Sequence, residues 1–241
     1  MPDATLDSAT SEKFLSAGRL GVYLAAAEND QGRALRLYEW NASITAVLLH
    51  DAGHLEVLLR NRYDLALSAA FPGWTSPTDS LWKIERGLEA ARIKQRRTNQ
   101  KSRTAIEMAR RGTRTHGHVV ANLTFGFWCA LTRAERESTI WTPVLSPIFA
   151  PRARGQIHDE VEKLNAFRNR LAHWEPVFSR TTGLVRQLQR VDSMFRLLDS
   201  DVAAWVGERS TALEMLHDAP EPLFAPWTGT YLGRTAAVGR S

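Results

Sequence analysis

Residues 164 to 176 read Leu164-Asn165-Ala166-Phe167-Arg168-Asn169-Arg170-Leu171-Ala172-His173-Trp174-Glu175-Pro176, and their spacing is that of the last turns of an α-helix. Apolar side chains that recur every three to four positions predict a buried face made of Val161, Leu164, Phe167 and Leu171. On this helix Asn169 and His173 are one turn apart and look outward, with Arg168 at the border of the apolar face. Pro176 disfavours helical backbone at the preceding residue, so the helix is predicted to end at or just after His173.

Helical periodicity also accounts for most of the remaining chain. The predicted helices cover residues 11–29, 35–71 with a break near Asp51-Ala52-Gly53, 81–97, 103–111, 119–131, 144–149, 153–173, 184–206 and 212–216. No segment alternates apolar and polar residues between hairpin turns, so no strand is predicted. The fold class is therefore all-α, an irregular helical bundle. Residues 11–217 are predicted to form a single domain, and residues 218–241, which are Gly-rich and lack a period, a C-terminal tail.

Composition limits the location of the protein and its cofactors. No apolar run reaches the about 18 residues that span a bilayer, and the N-terminus lacks the features of a secretion signal, so a cytoplasmic protein without a membrane partner is predicted. The single Cys129 lies among aromatic residues and predicts a buried thiol rather than a disulfide. His50 and His54 have metal-ligand spacing, but only Asp51 could complete the site, so no metal and no other cofactor is expected.

The positive charge of the chain is concentrated in one block. Between Arg92 and Arg114 there are nine Lys or Arg residues and one acid, Glu107, whereas the whole chain has a net charge of +5. Such a block favours a polyanionic partner, because contacts to phosphates give charge-driven affinity. A solvated helix face followed by a loop accounts for the composition equally well.

The segment Arg168 to His173 resembles the signature of the HEPN superfamily, which is an Arg, a polar residue, three further residues and a His. Its continuation to Phe178 is similar to the corresponding end of the Abi-like proteins of bacterial phage-defence, or abortive infection, loci. Three earlier segments, 37–41, 55–61 and 123–128, are also similar to recurring segments of that family. The resemblance spans residues 14–198. It implies a HEPN-like helical core with additional N-terminal helices, and a homodimeric endoribonuclease of a defence or toxin system.

The residue types of the motif suit that chemistry. RNA cleavage without a metal needs a base for the 2′-hydroxyl, an acid for the leaving 5′-oxygen, and a cation for the charge that grows on the phosphorane. We assign proton transfer to His173, phosphate binding to Arg168, and orientation of the His or of the scissile phosphate to Asn169. One His cannot act at both ends of an in-line displacement, so two copies of the set in a symmetric dimer are expected. The products would carry 2′,3′-cyclic phosphate and 5′-hydroxyl ends.

Two alternatives stay open. Arg168 could form a salt bridge with Glu162 or Glu175 while His173 only caps its helix, which leaves no catalytic site. The same cleft could instead bind RNA or a protein without turnover, as some HEPN members do.

Further partners follow from the charge pattern and the resemblance. The predicted RNA contacts beyond the motif are Arg60, Asn61, Arg96, Arg97, Arg110, Arg111 and Arg170. A neutralising antitoxin or a small non-coding RNA is a further candidate partner. Glu175 departs from the Tyr that HEPN toxins paired with nucleotidyltransferase antitoxins usually show at this position.

Overall fold

The structure is a computed structural model that describes residues 6–83, 89–112, 115–178, 183–220 and 230–235. Helices make up nearly all of its regular structure, which confirms the predicted all-α fold. The first part of the chain forms α1 (Ser8–Leu15), α2 (Ala17–Ala26), α3 (Gln31–Ala70), a 3₁₀ turn (Ser80–Trp82) and α4 (Ala90–Ala109). The middle part forms α5 (His116–Asn122), α6 (Phe125–Leu131), a 3₁₀ turn (Ala134–Arg136), a π-helix (Glu137–Leu145) and α7 (Ser146–Phe149). The last part forms α8 (Arg154–Ala172), α9 (Leu184–Leu198), α10 (Ser200–Gly207), α11 (Ala212–His217), β1 (Thr230–Tyr231) and β2 (Arg234–Thr235).

The long helix α3 contradicts the predicted break near Asp51-Ala52-Gly53, because it runs through 40 residues without interruption. A glycine inside a helix costs only about 1 kcal/mol relative to alanine, and Leu48 and Leu55 are buried on either side of it. Asp51 does not cap a new helix, because its carboxylate accepts a hydrogen bond from Ser210. Packing on both sides therefore keeps the helix continuous.

Several other predicted boundaries are wrong. The predicted helix 11–29 is divided at Ser16, whose φ is 66°, the predicted helix 119–131 at extended backbone around Leu123-Thr124, and the predicted helix 184–206 at Asp199. Conversely, α4 covers residues from both predicted helices 81–97 and 103–111, and residues 84–88 lie outside the described ranges. Regular structure around residues 144–149 begins earlier than predicted, as a π-helix that contains Pro143. The predicted helices 153–173 and 212–216 agree with α8 and α11 within one residue.

The chain divides into two compact units, and the long helices α3, α8 and α9 contribute to both. The first unit comprises Met1–Ala52, Arg168–Asp192 and Asp201–Ser241, and the second comprises Gly53–Phe167 and Ser193–Ser200. A single domain over residues 11–217 stays a prediction.

A buried carboxylate organises the first unit. Asp51 is 1% exposed and accepts hydrogen bonds from the hydroxyls of Ser210 (2.6 Å) and Tyr231 (3.0 Å), and its Oδ1 lies 2.9 Å from His50 Nδ1. Tyr231 belongs to the β1–β2 hairpin, in which Thr230 pairs with Thr235. This carboxylate therefore connects α3, the segment after α10 and the hairpin.

The hairpin adds two short strands to the helical fold, and it lies in the segment after residue 218 that is predicted to be a tail. Tyr231 and Leu232 are buried, and the backbone N–H of Leu232 donates to Asp192 Oδ1 at 2.7 Å. A Cβ on Gly207 of α10 would clash with the carbonyl oxygen of Leu232, so glycine is required at this contact. Residues 230–235 are therefore packed within the first unit.

Aromatic side chains form much of the core of the second unit. Trp128 of α6 makes edge contacts with Tyr63 and Trp74, with ring centroids 6.2 and 5.8 Å apart. Phe149 makes an edge contact with Tyr63 and stacks on Trp141. These pairs are consistent with the apolar run at residues 119–131, whose side chains Val119, Phe127 and Trp128 are buried.

Length and composition alone would allow α3 to cross a membrane, although no membrane-spanning segment is predicted from the sequence. Core helices of soluble proteins pass the same test, and α3 buries side chains such as Ile44, Leu59 and Tyr63 inside the protein. The helix is therefore weak evidence for a membrane segment.

Candidate active site and basic helix face

The predicted motif lies at the C-terminal end of α8. The four apolar side chains of the predicted face, with Ile157 one turn earlier, are all buried: Ile157, Val161, Leu164, Phe167 and Leu171. Asn169 and His173 are exposed and Arg168 is half-buried. The amphipathic pattern therefore sets which motif side chains face solvent.

Backbone hydrogen bonds end the helix at His173, in agreement with the prediction. The N–H of His173 donates to the carbonyl of Asn169, one turn earlier, at 3.0 Å. The N–H groups of Trp174 and Glu175 then donate to the carbonyls of Leu171 and Arg170, the pattern of a Schellman motif. Trp174 has a φ of 54°, which is the left-handed conformation that glycine usually takes at this position.

The two carboxylates that the alternative offers to Arg168, those of Glu162 and Glu175, each lie near another cation. Glu175 pairs with Arg170 at 3.7 Å, and Glu162 pairs with Arg133 at 3.8 Å. His173 caps its helix through its backbone, as that alternative holds, while its imidazole stays exposed.

Arg19 of α2 lies at the end of the motif helix and is not among the residues predicted from the sequence. The guanidinium of Arg19 donates to the carbonyl oxygens of His173 at 3.4 Å and Trp174 at 3.5 Å. These carbonyls lie at the negative end of the α8 dipole, where a cation is favourable. Arg19 and His173 are 154 positions apart, so no local sequence pattern predicts their contact.

The predicted RNA contacts are distributed over the two units. Arg170 lies with Arg168, Asn169 and His173 in the first unit, and all the others belong to the second. Asn61 is exposed on α3, and Arg60 is half-buried with an Nε that has no hydrogen-bond partner.

The exposed face of α4 carries most of the predicted basic block. Arg92 pairs with Glu89 at 3.3 Å, and Lys94 pairs with Glu135 at 2.8 Å. The hydrogen bond from Lys94 lowers the pKa of the Glu135 carboxyl. Within the described ranges, four further exposed cations make no ion pair: Arg96, Arg97, Lys101 and Arg111. We call these four residues the α4 basic face.

Arg110 differs from the rest of the predicted block. It is half-buried, and its guanidinium donates to the carbonyl oxygen of Thr75 at 3.2 Å. Arg114, at the end of the block, lies outside the described residues. Arg110 therefore fixes the end of α4 to the loop after α3. Lys101, which is not among the predicted RNA contacts, is exposed on α4.

A buried arginine fixes the opposite side of α4. Arg136 is 1% exposed, and its guanidinium donates to Asn99 Oδ1, to Ser102 Oγ at 2.8 Å and to the carbonyl of Thr98 at 3.3 Å. It also lies 5.2 Å from the centre of the Trp82 ring. Burial lowers the pKa of Arg136 to about 10. Arg136 thus binds the inner side of α4, and the basic side chains of the helix face solvent.

Several histidines outside the motif have protein partners. His116 Nε2 lies 2.7 Å from Asp64 Oδ1, and His50 Nδ1 lies 2.9 Å from Asp51 Oδ1. In the part of the chain that the structure describes, no three His, Cys, Asp or Glu side chains are grouped as metal ligands.

Comparison with protein-family models, with curated proteins and with solved structures gives no match for this chain.

Proposed function

We propose that this chain is a metal-independent endoribonuclease of the HEPN type. The observation that carries the proposal is the end of α8, where Asn169 and His173 are exposed one turn apart and Arg168 lies beside Asn169 in the sequence. An imidazole that is open to solvent beside an amide and a guanidinium has the groups needed to move a proton at a phosphate.

The surroundings of His173 favour an anionic substrate. Arg19, Arg168 and Arg170 belong to the same unit as the imidazole, and Arg19 donates to the carbonyl of His173 itself. The nearby Glu175 is paired with Arg170. A phosphodiester therefore meets more positive than negative charge at this helix end.

In the proposed reaction His173 takes the proton of the 2′-hydroxyl, and the 2′-oxygen attacks the phosphorus. The bond from phosphorus to the 5′-oxygen breaks, and the His173 imidazole of a second copy of the chain gives a proton to that oxygen. Arg168 holds the negative charge on the equatorial oxygens, and Asn169 orients the imidazole or the phosphate. The products are a 2′,3′-cyclic phosphate and a 5′-hydroxyl.

The resemblance to Abi-like proteins gives this activity a biological setting. A ribonuclease of this kind acts on RNA in the bacterial cytoplasm, in phage defence by abortive infection or as a toxin. Such an enzyme has to be kept silent, so an antitoxin or a small non-coding RNA is the expected partner.

A second candidate, an RNA-binding module without turnover, is favoured by the α4 basic face. Its four cations have no ion-pair partner among the described residues, so they remain available for phosphates. Binding through this face needs no proton transfer at His173, and this difference separates the two candidates.

The test compares wild type with His173→Ala, His173→Gln and Arg168→Ala on a mixed RNA substrate, with end-group analysis of the products. We expect each His173 substitution to lower the cleavage rate by about 10²- to 10⁴-fold, the usual effect of losing one proton-transfer group. Arg168→Ala removes the cation that stabilises the phosphorane and should lower the rate by about 10²- to 10³-fold. Cleavage should persist in EDTA, because the mechanism places no metal at the phosphate.

His217→Ala is the matched control, because His217 is also an exposed histidine in the last turn of a helix of the first unit. It should cut RNA at the wild-type rate, and circular dichroism should show the same helix content for all variants. Full activity of both His173 variants, or activity that depends wholly on Mg²⁺, would contradict the nuclease and leave the binding module.

A further inference from the structure

We infer that Trp174 is a stacking platform for an unpaired RNA base, which makes single-stranded RNA the substrate class of the α8 site. The inference rests on the proposed function for the identity of the nucleic acid. Trp174 follows His173 directly, and 44% of its surface is exposed. An exposed indole can stack on a base only where that base is not paired within a duplex.

The backbone of Trp174 gives the first argument. Its φ of 54° lies in the left-handed region, which costs a residue with a Cβ roughly 1 to 2 kcal/mol and costs glycine almost nothing. The side chain is only partly buried, and 44% of its surface stays exposed in spite of this cost. Strained residues of this kind are concentrated at functional sites.

The open face of the indole gives the second argument. Among the described residues, no aromatic ring or guanidinium lies against Trp174. The comparison is Trp205, which is equally exposed at 47% but is covered by the guanidinium of Arg209, 4.0 Å from the ring centre. Within the described part of the chain, the exposed part of the Trp174 ring therefore has no aromatic or cationic partner of its own.

The charges around the indole decide the kind of ring. Arg19 donates to the carbonyl of Trp174, Arg170 lies in the last turn of α8, and Arg168 lies just before that turn. The one acid beside them, Glu175, is paired with Arg170. Aromatic and cationic groups together are the arrangement by which proteins hold single-stranded nucleic acids, with the bases on the rings and the phosphates on the cations.

The test measures binding in a His173→Ala background, which prevents turnover, with a fluorescent eight-nucleotide single-stranded RNA and a duplex of the same sequence as probes. Trp174→Gly should weaken single-strand binding about 5- to 150-fold, the range found when one stacking residue is removed, and should change duplex binding little. Trp174→Phe should retain most of the affinity, because its ring can still stack. Trp205→Ala is the control and should bind like the parent.

The Tm of each variant, measured by thermal unfolding, shows whether a loss of RNA binding results from a loss of folding. Because glycine accepts a positive φ, Trp174→Gly should still unfold cooperatively at a Tm close to the parent's while it binds single strands less well. Equal single-strand affinity of Trp174→Gly and the parent would overturn the inference. Dissociation of a dimer by Trp174→Gly would also overturn it, because the indole would then be an interface residue.

The two proposals fail separately. A wild-type protein that binds single strands through Trp174 but cuts no RNA contradicts the nuclease and supports the platform. A wild type that cuts single strands and duplexes at equal rates, with unchanged rates for Trp174→Gly, supports the nuclease and overturns the platform.

Discussion

Two buried tyrosines of the first unit show how much a single hydrogen bond matters at the scale of one residue. Tyr231 donates to the buried Asp51, whereas the hydroxyl of Tyr23 has no hydrogen-bond partner. Burial raises the pKa of Tyr23 to about 12, so this phenol stays neutral at physiological pH.

Tyr231→Phe should lower the free energy of unfolding by about 1.5 to 3 kcal/mol, because it removes a hydrogen bond to a charged acceptor. Tyr23→Phe is the matched control and should be neutral or slightly stabilising, since it removes a buried hydroxyl that gains nothing from the fold. Urea unfolding of the two variants beside wild type measures both values. A loss of the same size in both would show that the bond to Asp51 contributes little.

The local sequence predicts a residue well when its environment is made by its neighbours in the chain. Cys129 lies in an apolar run, and it is buried as predicted, with its pKa raised to about 12 by burial. The exposure of Asn169 and His173 likewise follows from the spacing of α8. Arg19 and Asp51 have partners more than 150 positions away, and no periodicity carries that information.

At the scale of elements, helix ends are predictable where a local signal forbids continuation. Pro176 marks the end of α8 correctly, within one or two residues. Gly53 only weakens a helix, and the packing of its neighbours overrides it in α3. The continuity of α4 is supported in its middle by Asn99 and Ser102, whose partner Arg136 is more than 30 positions away.

The α4 basic face allows a prediction for this helix as a unit. Reversal of charge at Arg96, Arg97, Lys101 and Arg111 should weaken RNA binding and reduce its salt dependence, because fewer counterions are released per complex. If all four contact phosphates, the slope of log affinity against log salt should fall by about 3 for a single strand.

The matched control reverses four exposed cations elsewhere, at Lys13, Arg152, Lys163 and Arg186. Both variants have the same net charge, so a difference between them reports the location of the charge and not its amount. An unchanged slope for the α4 variant would show that this face meets only solvent.

At the scale of the whole molecule, the proposed chemistry requires two chains. One chain supplies one exposed His173, and an in-line displacement needs a proton acceptor and a proton donor on opposite sides of the phosphorus. We therefore expect a homodimer with the two α8 ends near its two-fold axis. Sedimentation velocity at micromolar concentration should give a mass of twice the 27.1 kDa of the chain. A monomer with full cleavage activity would contradict the dimer.

The sequence predicts the helical class of the whole molecule but not its division into two units. Both units combine segments from distant parts of the chain, and α3 passes from one to the other at Ala52-Gly53 without a loop to mark the boundary. Linker composition, the usual signal of a boundary, is therefore missing at this point.

The contact between Asp51 and Tyr231 has a consequence for synthesis on the ribosome. The two residues are 180 positions apart, and translation proceeds at about 5 to 20 residues per second. Asp51 is therefore made roughly 10 to 40 seconds before the tyrosine that satisfies it, and during this time the first unit lacks one of its buried partners. Nascent chains that stall between His173 and Tyr231 carry His173 but not the hairpin, so they bear the proposed active site on an incomplete fold.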